Sequence, residues 1–463
     1  MKYSCLVLKT LFLSSIIIIP VIVNAKVTEF ELENGLKLLI KEDHRAPIVV
    51  TQVWYKVGGS YEYDGITGIS HALEHMMFKG TEKFPDGEFS RIISKNGGSD
   101  NAFTGPDYTA YFQTLEKSRL EISFKLEADR MRYLTLPKKE FIKEIEVVKE
   151  ERRWRTEDKP QSYAYEVAMA TAFQTSPYRY PVVGWMQDLD NMTIEDLSDW
   201  YQKWYAPNNA TLVVAGDVNP DEVFALAKKY FGPLPKGESI IVKTLDEVEQ
   251  KGEKRVKIKR PAELSYLMML YKTPVLSPGS EKQENHNWEP YALEVLAGIL
   301  DGGSSARIAS RLVRGSEVAA GASAGYRMVS RLNNLFIMSG TPSKSKSVGE
   351  LEAALRNEIK DLQSNLVTKE ELQRVKARVI SSDVYEKDSV FYQGMILGTL
   401  ETVGLSWRFA DIYVESIKTV TAEQVMDVAK KYLVDDRLTV AELDPLPIVE
   451  QPRYPKGGSS RAH

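Results

Sequence analysis

The sequence predicts an α+β protein with two similar domains, each a mainly antiparallel β-sheet packed with helices. Predicted strands and helices follow one another without the regular alternation that a parallel α/β sheet requires. A helix-to-strand unit that begins at Thr193 recurs 228 positions later, at Thr421, which indicates an internal repeat. The 463 residues, of which 43% are hydrophobic and 27% charged, are ample for more than one core. A formal net charge of −4 provides no basic field for nucleic acid, so we exclude that class of partner.

The first predicted domain opens with strands. Apolar and polar residues alternate over residues 28–42 on both sides of Asn34-Gly35, a dipeptide typical of a tight hairpin turn. Residues 48–57 are rich in Val, Thr and aromatic side chains and form the next predicted strand. Glycines then mark a loop, after which a helix is predicted over residues 69–79. Helical spacing predicts two further helices, at 118–133 and 138–154.

The repeated unit sets the predicted domain boundaries. Thr193-Ile-Glu-Asp196 has a capping-box pattern that opens a helix, and a strand follows at 210–215. Thr421-Ala-Glu-Gln424 has the equivalent pattern and leads to a strand at 438–443. Chance similarity between two short units is the alternative. With a polar, Gly/Pro-rich linker between the units, the predicted segments are an N-terminal domain at 26–235, a linker at 236–254, a C-terminal domain at 255–450 and a tail at 451–463.

The basic run at 251–260 requires a separate interpretation. Its Lys and Arg residues alternate with Val256 and Ile258. This alternation favours a strand at a solvated sheet edge over a strip that binds phosphates.

Residues 1–25 have the pattern of a secretory signal peptide. Two lysines supply positive charge, residues 11–23 are almost wholly apolar, and Ala25 stands at the expected cleavage position. Cleavage there also removes Cys5, the single cysteine, so the mature chain is expected to have no disulfide. The alternative is an uncleaved membrane anchor. We expect an exported protein, periplasmic by analogy, with no membrane contact after cleavage.

Two histidines one helical turn apart are the leading candidates for catalysis. In His71-Ala-Leu-Glu74-His75 the rings lie about 40° apart on one face of the predicted helix. Such a pair can bind one zinc ion, and Glu74 lies where its carboxylate can reach a water on the metal. Zinc lowers the pKa of that water toward ~7, and a nearby carboxylate can take its proton as the water attacks a carbonyl. These residues predict zinc-dependent hydrolysis, with a plain packing role for the histidines as the alternative.

A catalytic zinc site needs a third protein ligand and an open position. The helix predicted at 138–154 contains several candidate carboxylates, namely Glu144, Glu146, Glu150 and Glu151. Glu144 and Glu151 are seven positions apart and share a face, so one can bind the metal while the other orients a ligand. The residues alone do not choose among the four.

The motif and its surroundings resemble the pitrilysin-type (inverted zincin) metallopeptidases, in the bacterial branch related to the mitochondrial processing peptidase. His71-Ala-Leu-Glu74-His75 is followed by Met-Met-Phe-Lys-Gly-Thr, as in the inverted zinc motif of that family. The likeness covers nearly the whole chain after residue 25. The other matching segments are Asn34-Gly-Leu, Trp54-Tyr-Lys-Val-Gly-Gly, Gly97-Gly-Ser-Asp-Asn-Ala-Phe-Thr104, Tyr205-Ala-Pro-Asn-Asn and Gly216-Asp217. The resemblance implies a half-clamshell of two homologous domains and a metallopeptidase with one zinc ion per chain.

The resemblance also implies a role for each candidate residue. In the family the third ligand ends a Glu-x-x-Val-Val-x-x-Glu pattern, which runs here from Glu144 to Glu151. Glu151 is then the implied zinc ligand beside His71 and His75. Glu144 is the implied outer partner that orients a ligand, and Glu74 is the implied general base.

Substrate binding is implied in the same way. Substrates of such enzymes lie extended along an edge strand of the first domain, which Asn101-Ala102-Phe103 matches. Active relatives often have in the second domain an Arg and, seven residues later, a Tyr that hold the substrate and its oxyanion. Arg314 is a candidate for the Arg, but position 321 is Gly321, and Tyr326 is a displaced candidate for the Tyr. An oxyanion donor is typically worth ~10²–10³ in kcat. Our hypothesis is that a partner subunit supplies the pair, as a homologous subunit does in a heterodimer. We expect a dimer, and the sequence does not decide between a homodimer and a heterodimer.

We therefore expect a secreted or periplasmic zinc metalloendopeptidase that hydrolyses peptides or unfolded segments in a closed chamber. A weakly active or inactive subunit that captures peptides or assembles with a partner chain is the alternative. A third hypothesis is a soluble α+β protein whose two histidines only pack. Intact Glu74 favours the enzyme, whereas the missing tyrosine favours the second hypothesis.

Overall fold

The computed structural model describes residues 26–243, 246–278 and 288–448. The predicted signal peptide at 1–25 and the predicted tail at 451–463 lie outside these residues. Within them the chain forms two β-sheets, both packed with helices, and this confirms the predicted α+β class. No helix in the described ranges is both long enough and apolar enough to cross a bilayer.

The first half of the chain contains a six-stranded sheet. Its strands are β1 (Val27–Glu31), β2 (Lys37–Glu42), β3 (Ile48–Tyr55), β4 (Ser99–Thr104), β5 (Thr109–Glu116) and β6 (Ala210–Gly216). Its helices are α1 (Ile69–Met76), α2 (Glu88–Lys95), α3 (Leu120–Tyr133), α4 (Lys138–Arg152), α5 (Pro160–Ala172), α6 (Met186–Asn191), α7 (Ile194–Trp204) and α8 (Pro220–Tyr230). The predicted hairpin is confirmed: β1 and β2 pair antiparallel, and Gly35 in their turn has φ +85°, which favours glycine.

The second half contains a five-stranded sheet. Its strands are β7 (Lys254–Pro261), β8 (Tyr266–Thr273), β9 (Ala319–Tyr326), β10 (Asn334–Pro342) and β11 (Leu438–Leu446). Its helices are α9 (Trp288–Asp301), α10 (Val348–Ser364), α11 (Lys369–Lys387), α12 (Val390–Thr402), α13 (Phe409–Thr419) and α14 (Ala422–Tyr432). The basic run is confirmed as an edge strand, because β7 ends the sheet and its side chains are alternately exposed.

The two sheets have equivalent topologies. The first has the strand order β1-β2-β6-β3-β5-β4 and the second β7-β11-β8-β10-β9. Each contains a single parallel pair, β2 with β6 and β7 with β11, while the other neighbours are antiparallel. Omitting β1, the strands correspond one to one, so that the edge strand β4 of the first sheet matches the edge strand β9 of the second.

The repeat predicted from the sequence is confirmed at the level of its caps. Thr193 and Thr421 each accept a hydrogen bond from the backbone N–H three residues later, and each helix has a complete capping box. Helix α7 leads to β6, and α14 leads to β11, in equivalent places in their sheets. The repeated unit is therefore a structural repeat.

Each half covers the sheet of the other half with one helix. Helix α5, from the first half, packs on β11, β7 and β8, and α12, from the second half, packs on β6 and β3. The α12 contact is close: a Cβ placed on Gly398 would lie 2.1 Å from the ring of Trp54, which is fully buried. The sequence pattern did not predict this exchange of helices.

Two helices end earlier than predicted. Helix α1 ends at Met76 instead of residue 79, since the N–H groups of Phe78 and Lys79 bond to carbonyls three residues back, and Gly80 with φ +89° follows this turn. Helix α4 ends at Arg152, and Arg153–Glu157 continue it as a π-helical turn. Both changes lie next to candidate site residues.

Candidate metal centre

Helix α1 brings the two histidines to one face. The His71 and His75 rings have centroids 4.9 Å apart, as positions i and i+4 of a helix require. The buried carboxylate of Glu62 accepts hydrogen bonds from the backbone N–H groups of Gly68 and Ser70 and so holds the start of the helix. Burial raises the pKa of Glu62 to about 7, although these two hydrogen bonds act against the rise.

Glu151 lies beside both histidines. One of its oxygens, Oε2, is 3.5 Å from Nε2 of His71 and 3.4 Å from Nε2 of His75. One ligand atom from each of the three side chains lies within 4.8 Å of the other two, the only such cluster of three or more found in the described parts of the chain. The structure thus brings the three predicted ligands together, although 76 positions separate His75 from Glu151.

The three side chains have the chemical features of a zinc site. Nδ1 of His71 is buried without a hydrogen-bond partner among the described residues. Burial, His75 and Arg155 lower the pKa of His71 to about 3, so its ring is neutral and has a nitrogen lone pair to donate. Two imidazole nitrogens and one carboxylate oxygen are a donor set that zinc takes in hydrolytic enzymes. His71, His75 and Glu151 therefore fit a zinc ion.

Glu144 contacts the outer side of this cluster. Its Oε2 is 3.2 Å from Nδ1 of His75, and its Oε1 accepts a 2.8 Å contact from Lys79 Nζ. Burial opposes ionisation of Glu144, but the hydrogen bonds from Lys79 and His75 keep its pKa below the usual value. An ionised Glu144 orients the His75 ring with Nε2 toward Glu151.

Glu74 lies on the opening side of the cluster. Its Oε2 accepts a 2.5 Å hydrogen bond from the Thr104 hydroxyl at the end of β4. Burial raises the pKa of Glu74, an effect that the Thr104 hydrogen bond reduces. A half-buried carboxylate with a raised pKa is suited to accept and return a proton.

Two arginines near Glu151 were not among the residues predicted from the sequence. Arg155 forms a 2.5 Å ion pair with Oε1 of Glu151, which leaves Oε2 facing the histidines. Buried Arg152 forms two hydrogen bonds of 2.8 and 2.9 Å to Glu166 and ties α4 to α5. The i+4 spacing of Arg155 from Glu151 is a signal that sequence reasoning can use, whereas the Arg152 pair depends on tertiary packing.

A cleft of about 1210 Å³ opens over the candidate metal centre. Asn101, Ala102 and Phe103 line it from β4, which pairs with β5 and, within the described residues, with no other strand. The predicted substrate segment therefore lies on an open sheet edge beside Glu74.

Arg314 and Tyr326, the two substrate-binding candidates from the second half, lie in different places relative to the cleft. Arg314 donates a 2.5 Å hydrogen bond to the carbonyl oxygen of Ser304 and is not among the cleft residues. Tyr326 does line the cleft, but its hydroxyl donates to the carbonyl oxygen of Pro274. Their predicted roles in substrate binding stay predictions.

Comparison with known proteins identifies the family. The sequence profile described as "Insulinase (Peptidase family M16)" matches residues 37–184, and that described as "Peptidase M16 inactive domain" matches residues 191–379. The chain is 32% identical over 351 residues to the zinc protease PqqE of Helicobacter pylori, covering 74% of this chain and 76% of the relative. This chain belongs to peptidase family M16. The predicted family resemblance is thereby confirmed.

Two further proteins resemble the chain over most of its length. It is 24% identical over 411 residues to the uncharacterized zinc protease YmxG of Bacillus subtilis, covering 89% of this chain and 96% of that protein. A crystal structure of a protease from Helicobacter pylori superposes with a TM-score of 0.84 at 28% identity, covering 91% of this chain and all of that one. All candidate metal ligands of this M16 chain fall within the first profile match, at residues 37–184.

Proposed function

We propose that this M16 chain is an exported zinc endopeptidase that hydrolyses peptides or unfolded segments in its cleft. The observation on which this depends is the position of Glu151 Oε2 beside Nε2 of both His71 and His75, next to Glu74 in one open cleft. Membership in a family whose relatives are named zinc proteases supports the same conclusion.

The proposed metal ligands are His71, His75 and Glu151. When bound, a zinc ion supplies a Lewis acid that acidifies water and polarises a peptide carbonyl. Glu144 orients His75, and Arg155 occupies the other oxygen of Glu151, so both ligands are held before the metal binds.

Glu74 is the proposed proton carrier. Thr104 occupies its Oε2, which leaves Oε1 to take a proton from the attacking water. The same oxygen then returns the proton to the amine that leaves when the peptide bond breaks. This sequence needs no covalent intermediate between enzyme and substrate.

The β4 edge is the proposed substrate site. A peptide can add as a further strand beside Asn101, Ala102 and Phe103, because β4 is the edge of its sheet. The peptide has to displace the hydrogen bond that the Ala102 N–H donates to Asn101 Oδ1. Because Thr104 ends the same strand and contacts Glu74, the edge places a bound peptide close to the proton carrier.

The partner and the compartment are also proposals. Arg314 lies away from the cleft and the Tyr326 hydroxyl is already bonded, so a second subunit that supplies the Arg/Tyr pair fits this chain. The same observation favours the second candidate function, a weakly active subunit that captures peptides or assists assembly. The charged and apolar pattern of residues 1–25 supports export to the periplasm.

Zinc content and peptide hydrolysis, measured together, test the proposal. The wild type, Glu74→Gln and the exposed control Glu82→Gln are each measured with and without the candidate partner. We expect all three to bind one zinc ion, and only Glu74→Gln to lose hydrolysis. Zinc without hydrolysis in the wild type, with the partner present, supports the capture subunit instead. A wild type that binds no zinc contradicts both.

A further inference from the structure

The second half contains a cavity of about 310 Å³ that the proposed function does not use. Its walls come from helices α9 and α11, from Tyr413 of α13 and from the end of edge strand β9. A volume of this size is in the range of small-ligand sites.

The cavity occupies the place in the second half that the metal centre occupies in the first. Strand β9 is the counterpart of β4, and α9 packs on β9 as α1 packs on β4. Helix α9 also contacts α11 and α14, as α1 contacts α4 and α7. The two halves therefore have cavities at equivalent places in their folds, and these cavities are lined by different side chains.

The side chains of the second cavity are mostly acidic. Four carboxylates line it, from Glu294, Asp301, Asp383 and Glu386, against the single guanidinium of Arg378. Asp383 is paired with Lys387 at 2.7 Å, and Asp301 accepts a hydrogen bond from the backbone N–H of Ala324. The cavity thus has more negative charge than its own residues neutralise.

Glu294 is the carboxylate without a partner. Among the described residues no hydrogen bond or ion pair to Glu294 is found, although the residue is only partly exposed and burial raises its pKa to about 7. Arg378 is exposed and also has no ion pair within the described ranges, and its guanidinium lies over Gly303. A carboxylate that is mostly shielded from water usually has a partner, so Glu294 at the cavity wall indicates room for a cation.

A metal ion does not fit as the cation beside Glu294. The only group of three or more potential metal ligands close enough together in the described parts of the chain is the metal centre of the first half. An organic cation fits better, because it needs acceptors spread over a cavity and apolar walls for its carbon chain. Ala297, Val375 and Val379 supply such walls here.

We propose that the α9–α11 cavity binds an organic cation, a primary ammonium or a guanidinium, with Glu294 as its charge partner. Gly325 and Tyr326 line both this cavity and the main cleft. The cation can therefore be a lysine or arginine side chain of a peptide in the cleft, which rests on the proposed function, or a free small amine, which does not.

Binding measurements on the metal-free chain test the proposal without catalysis. One probe is agmatine, followed by calorimetry. The other is a pair of fluorescent peptides that differ only by lysine or norleucine at one position, followed by anisotropy. The variants are Glu294→Gln, Arg378→Met and the control Glu370→Gln, which removes an exposed carboxylate from the same helix α11.

We expect Glu294→Gln to weaken binding of at least one cationic probe tenfold or more. Arg378→Met removes a competing cation and should strengthen it several-fold, while Glu370→Gln changes it less than twofold. If the cavity variants change the binding of agmatine alone, the ligand is a free amine. If they abolish the preference for the lysine peptide over the norleucine peptide, the ligand is a peptide side chain. The proposal is overturned if neither probe responds to either cavity variant. Should Glu294→Gln fail to fold, the response to Arg378→Met decides alone. Zinc content and wild-type hydrolysis, measured separately, show whether the proposed function holds.

Discussion

Replacing Glu144 with glutamine should weaken zinc binding by about 10–100-fold, the range measured for outer partners of metal-binding histidines. The carboxylate makes two contacts, at 3.2 Å to His75 Nδ1 and at 2.8 Å to Lys79 Nζ. Glutamine keeps the size but has only one acceptor oxygen, so one of the two contacts is lost. The Lys79 charge then keeps only its longer, 4.0 Å pair with the exposed Asp86. Because these side chains are only 17–21% exposed, water screens the loss incompletely.

Converted to free energy, this range is about 1.4–2.8 kcal/mol. The assay is competition for zinc between the metal-free protein and a chelating indicator at fixed pH. Glu140→Gln is the matched control, because Glu140 lies one turn earlier on α4 and pairs with Lys143 at the surface. If Glu144→Gln binds zinc within twofold of Glu140→Gln, Glu144 does not orient His75.

Three further predictions concern stability and use urea unfolding. Arg152→Met should cost about 3–5 kcal/mol, because it leaves the buried Glu166 carboxylate without its partner. Glu294→Gln should flatten the dependence of stability on pH between about 4.5 and 7 and stabilise the protein at pH 8 by up to about 3 kcal/mol. In this window the folded wild type holds a proton that the unfolded chain has released, so wild-type stability falls as pH rises. Gly398→Ala should cost about 1–2 kcal/mol net, since overpacking against Trp54 exceeds the gain in helix propensity.

Each of these changes has a matched control in the chain. Arg153→Met removes a partly exposed arginine next to Arg152 and should change stability by less than about 0.5 kcal/mol. Glu370→Gln should leave the pH slope unchanged. In Gly349→Ala the added Cβ approaches only Ser347 Oγ, at 4.0 Å, so no loss of stability is expected. If a variant and its control have equal effects on stability, the physical reason given for that variant is wrong.

Helical periodicity was sufficient to predict part of the site. The i, i+4 spacing alone places His71 and His75 on one face, and the structure has them there. The choice of Glu151 among four glutamates of one helix was beyond the residue pattern, because it depends on how α4 packs against α1. Family resemblance selected Glu151, and the structure places it beside both histidines.

Local capping signals predicted the repeat but not the exchange of helices. The capping boxes at Thr193 and Thr421 are local signals, so the sequence predicts them directly. Helix α12 is apolar around its circumference, which shows that it must be covered but does not say which sheet covers it. The signal peptide and the second subunit stay predictions.

The exchange of helices gives the second half a structural task at the metal centre. Without α12, the buried Trp54 on β3 would lose the helix that packs against its ring, and β3 leads directly to the loop before α1. Arg331, between β9 and β10, adds a second link: its Nη2 donates to the carbonyl oxygen of Ser60, and its backbone N–H donates to buried Asp107. Ser60 and Asp107 both line the cleft. The second half therefore supports β3 and the cleft beside the candidate metal centre through buried contacts and hydrogen bonds, while its own α9–α11 cavity is lined by no histidine among the described residues.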